Sequence, residues 1–138
     1  MSEQYKTAAQ NLIEKGFNQK DLGAFEAYFS RNLKDHALPP GMPEGFEGRK
    51  MFYSAFLTAF PDLHVHIADT FAEGDKLVTR WSAHGTHSGE LMGIPATGKE
   101  VSVSGTAIDR FENGQSVEHW EVFDQIGLMQ QLGVMPAQ

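Results

Sequence analysis

A chain of 138 residues that is 41% hydrophobic, with ten Phe and two Trp, can bury a core without staples, and a single domain over 1–138 is expected. The absence of Cys excludes disulfides, thiolate metal sites and a cysteine nucleophile. A net charge of −7 with no basic patch argues against nucleic acid, whose phosphates reward clustered Lys and Arg. No apolar run approaches the ~20 residues of a membrane helix. Met1–Lys6 lacks the basic-then-apolar pattern of a signal peptide, so a cytoplasmic protein with no membrane partner is expected.

Residues 4–17 place Tyr5, Ala8, Leu12 and Ile13 at three- and four-residue spacing, which predicts an amphipathic helix. Asp21 is positioned to cap a second helix carrying Leu22, Phe25, Tyr28 and Phe29. A polar turn to Asp35-His36 and a Pro/Gly-rich loop from Pro39 to Gly48 follow. A third helix then presents Phe52, Ala55, Phe56 and Phe60 on one face and stops at Pro61.

After Pro61 the period changes to two. Leu63, Val65 and Ile67 alternate with His64, His66 and Ala68, which predicts a half-buried strand. Glu73-Gly74-Asp75 turns into a strand over Lys76–His84, and the Gly-containing stretch 88–99 reads as a loop. A strand from Val101 to Phe111 meets the hairpin signal Glu112-Asn113-Gly114 and returns as Ser116–Phe123. A short helix, Gln125–Leu132, ends at Gly133. Helices first and hairpins afterwards predict an α+β fold, a curved antiparallel sheet with helices packed on one side and room for an apolar pocket.

Several residues have both a chemical and a plain structural reading. His64 and His66 share a strand face, as metal ligands can, but the acid and Gly of a cupin-type site are missing, and a solvated face is the better reading. His84 and His87 flank a Gly at the end of a strand without metal-motif spacing. Arg80 opposes a face made of Leu77, Thr79 and Trp81. It is a surface charge if that aromatic face packs under the helices, and a pocket cation if the other face turns inward. His36 is either a turn residue or a pocket group. Asp124 falls at a strand-to-helix junction, where it can cap the helix or serve as a general base beside Trp120. No Gly-x-Ser-x-Gly elbow or Ser-His-Asp order supports acyl transfer.

Taken in order, Ala59-Phe60-Pro61-Asp62-Leu63, Glu73-Gly74-Asp75, Arg80-Trp81, Gly85-Thr86-His87-Ser88-Gly89, Gly93–Lys99, Arg110-Phe111-Glu112-Asn113-Gly114, Glu118-His119-Trp120 with Asp124, and Gln130-Gln131-Leu132-Gly133 closely resemble the SnoaL-like polyketide cyclases, or predicted ester cyclases, of the nuclear transport factor 2-like superfamily. The resemblance implies a cone of helices on a curved, cystatin-like sheet. It also implies cofactor-independent, metal-free aldol ring closure of a small apolar carbonyl compound. By the same resemblance Asp124, in the final W-x-x-x-D segment, is the acid/base with His36 as a second catalytic group. Arg80, Trp120, His84 and Arg110 are then candidate substrate contacts, and a homodimer is expected. Ala96 stands where many relatives have Pro, and Arg110 lies near a strand position where some cyclases use His. An isomerase or hydrolase of the same superfamily, or a non-catalytic ligand-binding protein, would fit the same resemblance.

Overall fold

The computed structural model describes residues 2–135. The first predicted helix is α1 (Ser2–Asn11), which continues into a π-helical segment, Leu12–Asn18. Lys20 ends it in a left-handed conformation (φ 62°), and its Nζ donates at 2.8 Å to the carbonyls of both Phe17 and Leu63. Those two bonds tie the helix end to the start of the sheet. Asp21 accepts the Gly23 amide at 3.0 Å at the start of α2 (Gly23–Tyr28).

Two features depart from the sequence reading. The polar turn before His36 is a strand, β1 (Phe29–Asp35), and α3 (Gly45–Ala59) begins inside the stretch read as loop. Phe29 and Leu33 are the only fully buried residues of β1, so this edge strand has too little alternation to register as one.

The remaining strands are β2 (His64–Glu73), β3 (Lys76–Thr86), β4 (Glu100–Glu112) and β5 (Gln115–Phe123), followed by α4 (Gln125–Leu132). Their order in the sheet is β1-β5-β4-β3-β2. β1 runs parallel to β5 and all other pairs are antiparallel, so the curved, unclosed sheet is mixed instead of wholly antiparallel. The β4–β5 hairpin turns at Asn113 (φ 52°) and Gly114 (φ 79°), the left-handed pair that a two-residue turn requires.

Side chains on one sheet face pack against the helices in register. Leu77, Asp109 and His119 form one row across β3, β4 and β5, and Thr79, Ala107 and Glu121 form the next. Trp81, Gly105 and Phe123 form the third row. A Cβ at Gly105 would sit 2.6 Å from the Trp81 ring and 2.7 Å from the Phe123 Cβ, so glycine is what lets those aromatics close over the strand. Small residues on the central strand thus leave a hollow between sheet and helices.

Candidate active site

The hollow is a cavity of about 100 Å³, several times what one water molecule occupies. Its walls are mainly apolar, from Leu12 and Phe17 of the first helix, Phe52 and Phe56 of α3, and the inner face of the sheet. Half-buried Ile13, Phe56, Trp81, Val103 and Phe123 lie at the outer part of the lining, whereas Asp109 and His119 are almost wholly buried. Polar chemistry is therefore confined to the deep end.

A continuous hydrogen-bonded network occupies that end. Asp109 accepts from the Tyr28 hydroxyl (3.0 Å) and the Ser116 hydroxyl (2.7 Å), and its Oδ1 lies 2.7 Å from His119 Nδ1. His119 Nε2 is 3.0 Å from Glu121 Oε1, which also accepts from Arg49 Nη1 at 3.3 Å. Arg49 then forks onto Asp35, with Nε–Oδ2 at 2.6 Å and Nη2–Oδ1 at 3.0 Å. The Ala37 amide also donates to Asp35 Oδ1 (2.9 Å). Buried charges survive only when paired and hydrogen-bonded in this way.

The electrostatics follow from that geometry. Burial by itself would push the His119 imidazole down, but Asp109, with help from Glu121, holds it up at about 9. The imidazolium is also the form that donates to both flanking carboxylates at once. Burial would likewise raise Asp35, yet the Arg49 guanidinium brings its carboxyl below the ordinary range. Tyr28 and Tyr53 are pushed well above the usual phenol value, first by burial and then by the charges of Asp109 and Glu121 respectively. Both phenols stay protonated.

Glu121 and Tyr53 are the groups with capacity to spare. Both hydrogen bonds to Glu121 fall on Oε1, so Oε2 takes no hydrogen bond from the described residues. Tyr53 lines the cavity beside Arg49, whose guanidinium lies 5.0 Å from the ring centre, and its hydroxyl has no hydrogen-bond partner among the described residues. A carboxylate oxygen and a neutral phenol that line the same apolar chamber can exchange a proton with a carbon acid and hold the resulting oxyanion. Among the described residues, no three His, Asp or Glu side chains converge as metal ligands.

None of the six site residues singled out from the sequence lines this cavity. Arg80 is exposed and paired with Asp69 (3.0 and 3.1 Å), the surface-charge arrangement expected when Trp81 packs inward. Trp120 stacks on His36 across the outer face, with ring centres 5.0 Å apart. His36 Nε2 contacts Glu118 Oε2 at 2.7 Å, and Arg110 Nε reaches Glu118 Oε1 at 3.0 Å. These three residues do meet, but on the solvent side of the sheet. His84 is exposed on the same side, its ring 5.5 Å from that of His64. Asp124 is exposed, and its Oδ1 accepts the Gly127 amide at 2.9 Å as the N-cap of α4.

Sequence reasoning passed over Arg49, Asp109, Tyr53 and Glu121. One signal was available on α3, where Arg49 shares a helical stripe with Phe46, Phe52, Tyr53 and Phe56, a placement that buries its charge and demands partners.

A cone of helices over a curved five-stranded sheet, enclosing an apolar cavity with buried acid/base groups at its base, defines the nuclear transport factor 2-like class. Within it, the family model for the SnoaL-like polyketide cyclase matches residues 7–132, and the chain belongs to that family. Among solved structures, TsrD from Streptomyces laurentii is 26% identical over 98% of both chains, with a TM-score of 0.88. AclR from Streptomyces galilaeus, provisionally assigned as a hydroxylase, is 28% identical over 100% of this chain and 85% of its own, with a TM-score of 0.87. IdmH from Streptomyces antibioticus, provisionally assigned as a polyketide cyclase, is 31% identical over 94% of this chain and 99% of its own, with a TM-score of 0.80. No curated protein matches the sequence. No helix among the described residues is long and apolar enough to cross a membrane.

Proposed function

We propose that the protein closes a ring in a small, mainly apolar carbonyl compound by intramolecular aldol condensation, with Glu121 as the acid/base group. The observation that carries this reading is the cavity carboxylate whose two protein hydrogen bonds both use Oε1. Oε2 takes a proton from a carbon activated by its carbonyl neighbours, and the enolate oxygen accepts a hydrogen bond from the Tyr53 hydroxyl. The enolate carbon then attacks a second carbonyl of the same molecule. The alkoxide so formed recovers the proton from Glu121, so one C–H bond and the π bond of the attacked carbonyl are exchanged for one C–C and one O–H bond with no co-reactant. A carboxylate is a weak base, which suits substrates whose C–H is already acidified. The apolar walls hold the chain folded for attack.

Proton abstraction can be tested without the natural substrate. The protein should accelerate deuterium incorporation at C1 of 2-tetralone, followed by proton NMR in deuterated buffer. Glu121→Gln should lower that rate roughly a hundredfold, and Tyr53→Phe should lower it by a smaller factor. No acceleration by the wild-type protein, or full acceleration by Glu121→Gln, would sink the proposal.

Asp124 supplies the contrasting case. Asp124→Asn keeps an N-cap acceptor and is expected to leave both stability and exchange near wild type, whereas Asp124→Ala should cost about 1 kcal/mol in urea titrations. Loss of exchange by a folded Asp124→Asn protein would return the catalytic role to this residue.

We further propose that the protein is a homodimer joined through the outer sheet face. Phe71, Val78, Ile108 and Trp120 form an apolar row across four strands, and Val122 stands 73% exposed beside it. Light scattering should give a dimer for the wild type and a monomer for Val122→Glu. An unchanged mass for the variant argues against this face.

A further inference from the structure

The row of inner-face residues that holds Glu121 holds a second polar group with nothing to bond. Thr79 is only 5% exposed, lines the cavity, and its Oγ1 has no hydrogen-bond partner among the described residues. Buried hydroxyls are ordinarily satisfied, so an orphan on a residue that lines the cavity calls for a ligand. The sheet register fixes where that ligand group must lie. Thr79 pairs with Ala107, and Ala107 pairs with Glu121, so the hydroxyl and the carboxylate stand on alternate strands with one methyl group between them. Their Cα atoms are two strand spacings apart, roughly 10 Å. A ligand lying over Ala107 meets Glu121 at one end and Thr79 at the other.

We infer that Thr79 is a substrate-binding residue that hydrogen-bonds a second oxygen of the ligand, one ring-width away from the carbon that Glu121 deprotonates. This rests on the reading of Glu121 as the acid/base group and extends it to a substrate class. The ligand is an apolar skeleton with oxygen functions at both ends, rather than a simple monoketone. A monoketone leaves the Thr79 hydroxyl desolvated and unpaired, and a site with an unpaired polar group discriminates against the ligand that lacks its partner.

The test compares 2-tetralone with 6-hydroxy-2-tetralone, which adds an oxygen at the far end of the same bicycle. Dissociation constants are measured by NMR titration in the Glu121→Gln background, where binding is read without proton transfer. The hydroxylated probe should bind more tightly, and Thr79→Val should shrink the ratio of the two constants about fivefold. Thr79→Ser, which keeps the hydroxyl, should hold the ratio near its original value. The melting temperature of Thr79→Val should not fall, because the hydroxyl makes no hydrogen bond to the described residues and valine has nearly the same shape. A ratio unchanged by Thr79→Val, or failure of both probes to bind, overturns the inference. Failure of the catalytic reading is seen separately, as exchange by Glu121→Gln at the wild-type rate.

Discussion

Arg49→Met is expected to cost roughly 3–5 kcal/mol of folding stability, measured as the shift in urea unfolding at neutral pH. Arg49 is 1% exposed, and the side chain of Asp35 is completely buried. Removing the guanidinium strands Asp35 and takes one of two cationic donors from Glu121. The loss arises from uncompensated charge more than from the net worth of the ion pair, because burying both partners already carries a heavy desolvation cost. Arg49→Met combined with Asp35→Leu should therefore recover much of the deficit, since a buried pair can be replaced by apolar groups at little cost. A single-variant loss under about 1 kcal/mol would show that the buried pair is not what it is taken to be. The same guanidinium joins α3 to β1 and β5, so this variant loosens the closed end of the cone on which the cavity groups stand.

The architecture was legible in the sequence for a physical reason. Long periodic stretches set the helices, the change of period at Pro61 set the sheet, and Asn113-Gly114 set the last hairpin. What the sequence does not carry is which face of each strand turns inward. For Arg80 and Trp81 both faces were open, and the structure turns Trp81 in. For β5 the matter is harder, because the ladder slips just after the hairpin. Phe111 pairs with Ser116, but Arg110 pairs with Glu118, so Val117 is an extra residue in β5.

That single insertion inverts every later side chain of the strand. Counted evenly from the turn, Trp120 would lie opposite Ala107 and face the helices. With the bulge, Glu121 takes that place and Trp120 turns to the outer face against His36. His119 and Glu121 consequently reach the cavity, while Arg110 and Glu118 pair outside it. Nothing in Ser116-Val117-Glu118 announces the slip. It is enforced by tertiary contacts, with the Ser116 hydroxyl on Asp109 and His119 drawn to the same carboxylate. Buried polar networks of this kind are long-range in sequence, as the Tyr28–Asp109 bond illustrates, and local pattern cannot supply them.

The stability of the protein should fall as pH rises from about 6.5 to about 9, by roughly 3 kcal/mol from His119 alone. Burial disfavours the imidazolium, but Asp109 and Glu121 outweigh it and raise the folded value to about 9, against about 6.5 in the unfolded chain. A raised folded value means the native state binds this proton more tightly. The contribution is therefore fully present below about 6.5 and is lost progressively up to about 9, at ~1.4 kcal/mol per unit. Urea midpoints at pH 6, 7.5 and 9 should decline in wild type, with the steepest fall confined to this window. His119→Gln can still hydrogen-bond but carries no charge, so its midpoint should start lower and change much less over the same range. The difference between the two proteins isolates His119 from groups that titrate elsewhere. A wild-type midpoint that stays level or rises from pH 6.5 to 9 would mean the imidazole is neutral in the folded state. One of its two carboxylate contacts would then need a proton from Glu121 or Asp109, and Glu121 would enter the reaction as an acid instead of a base.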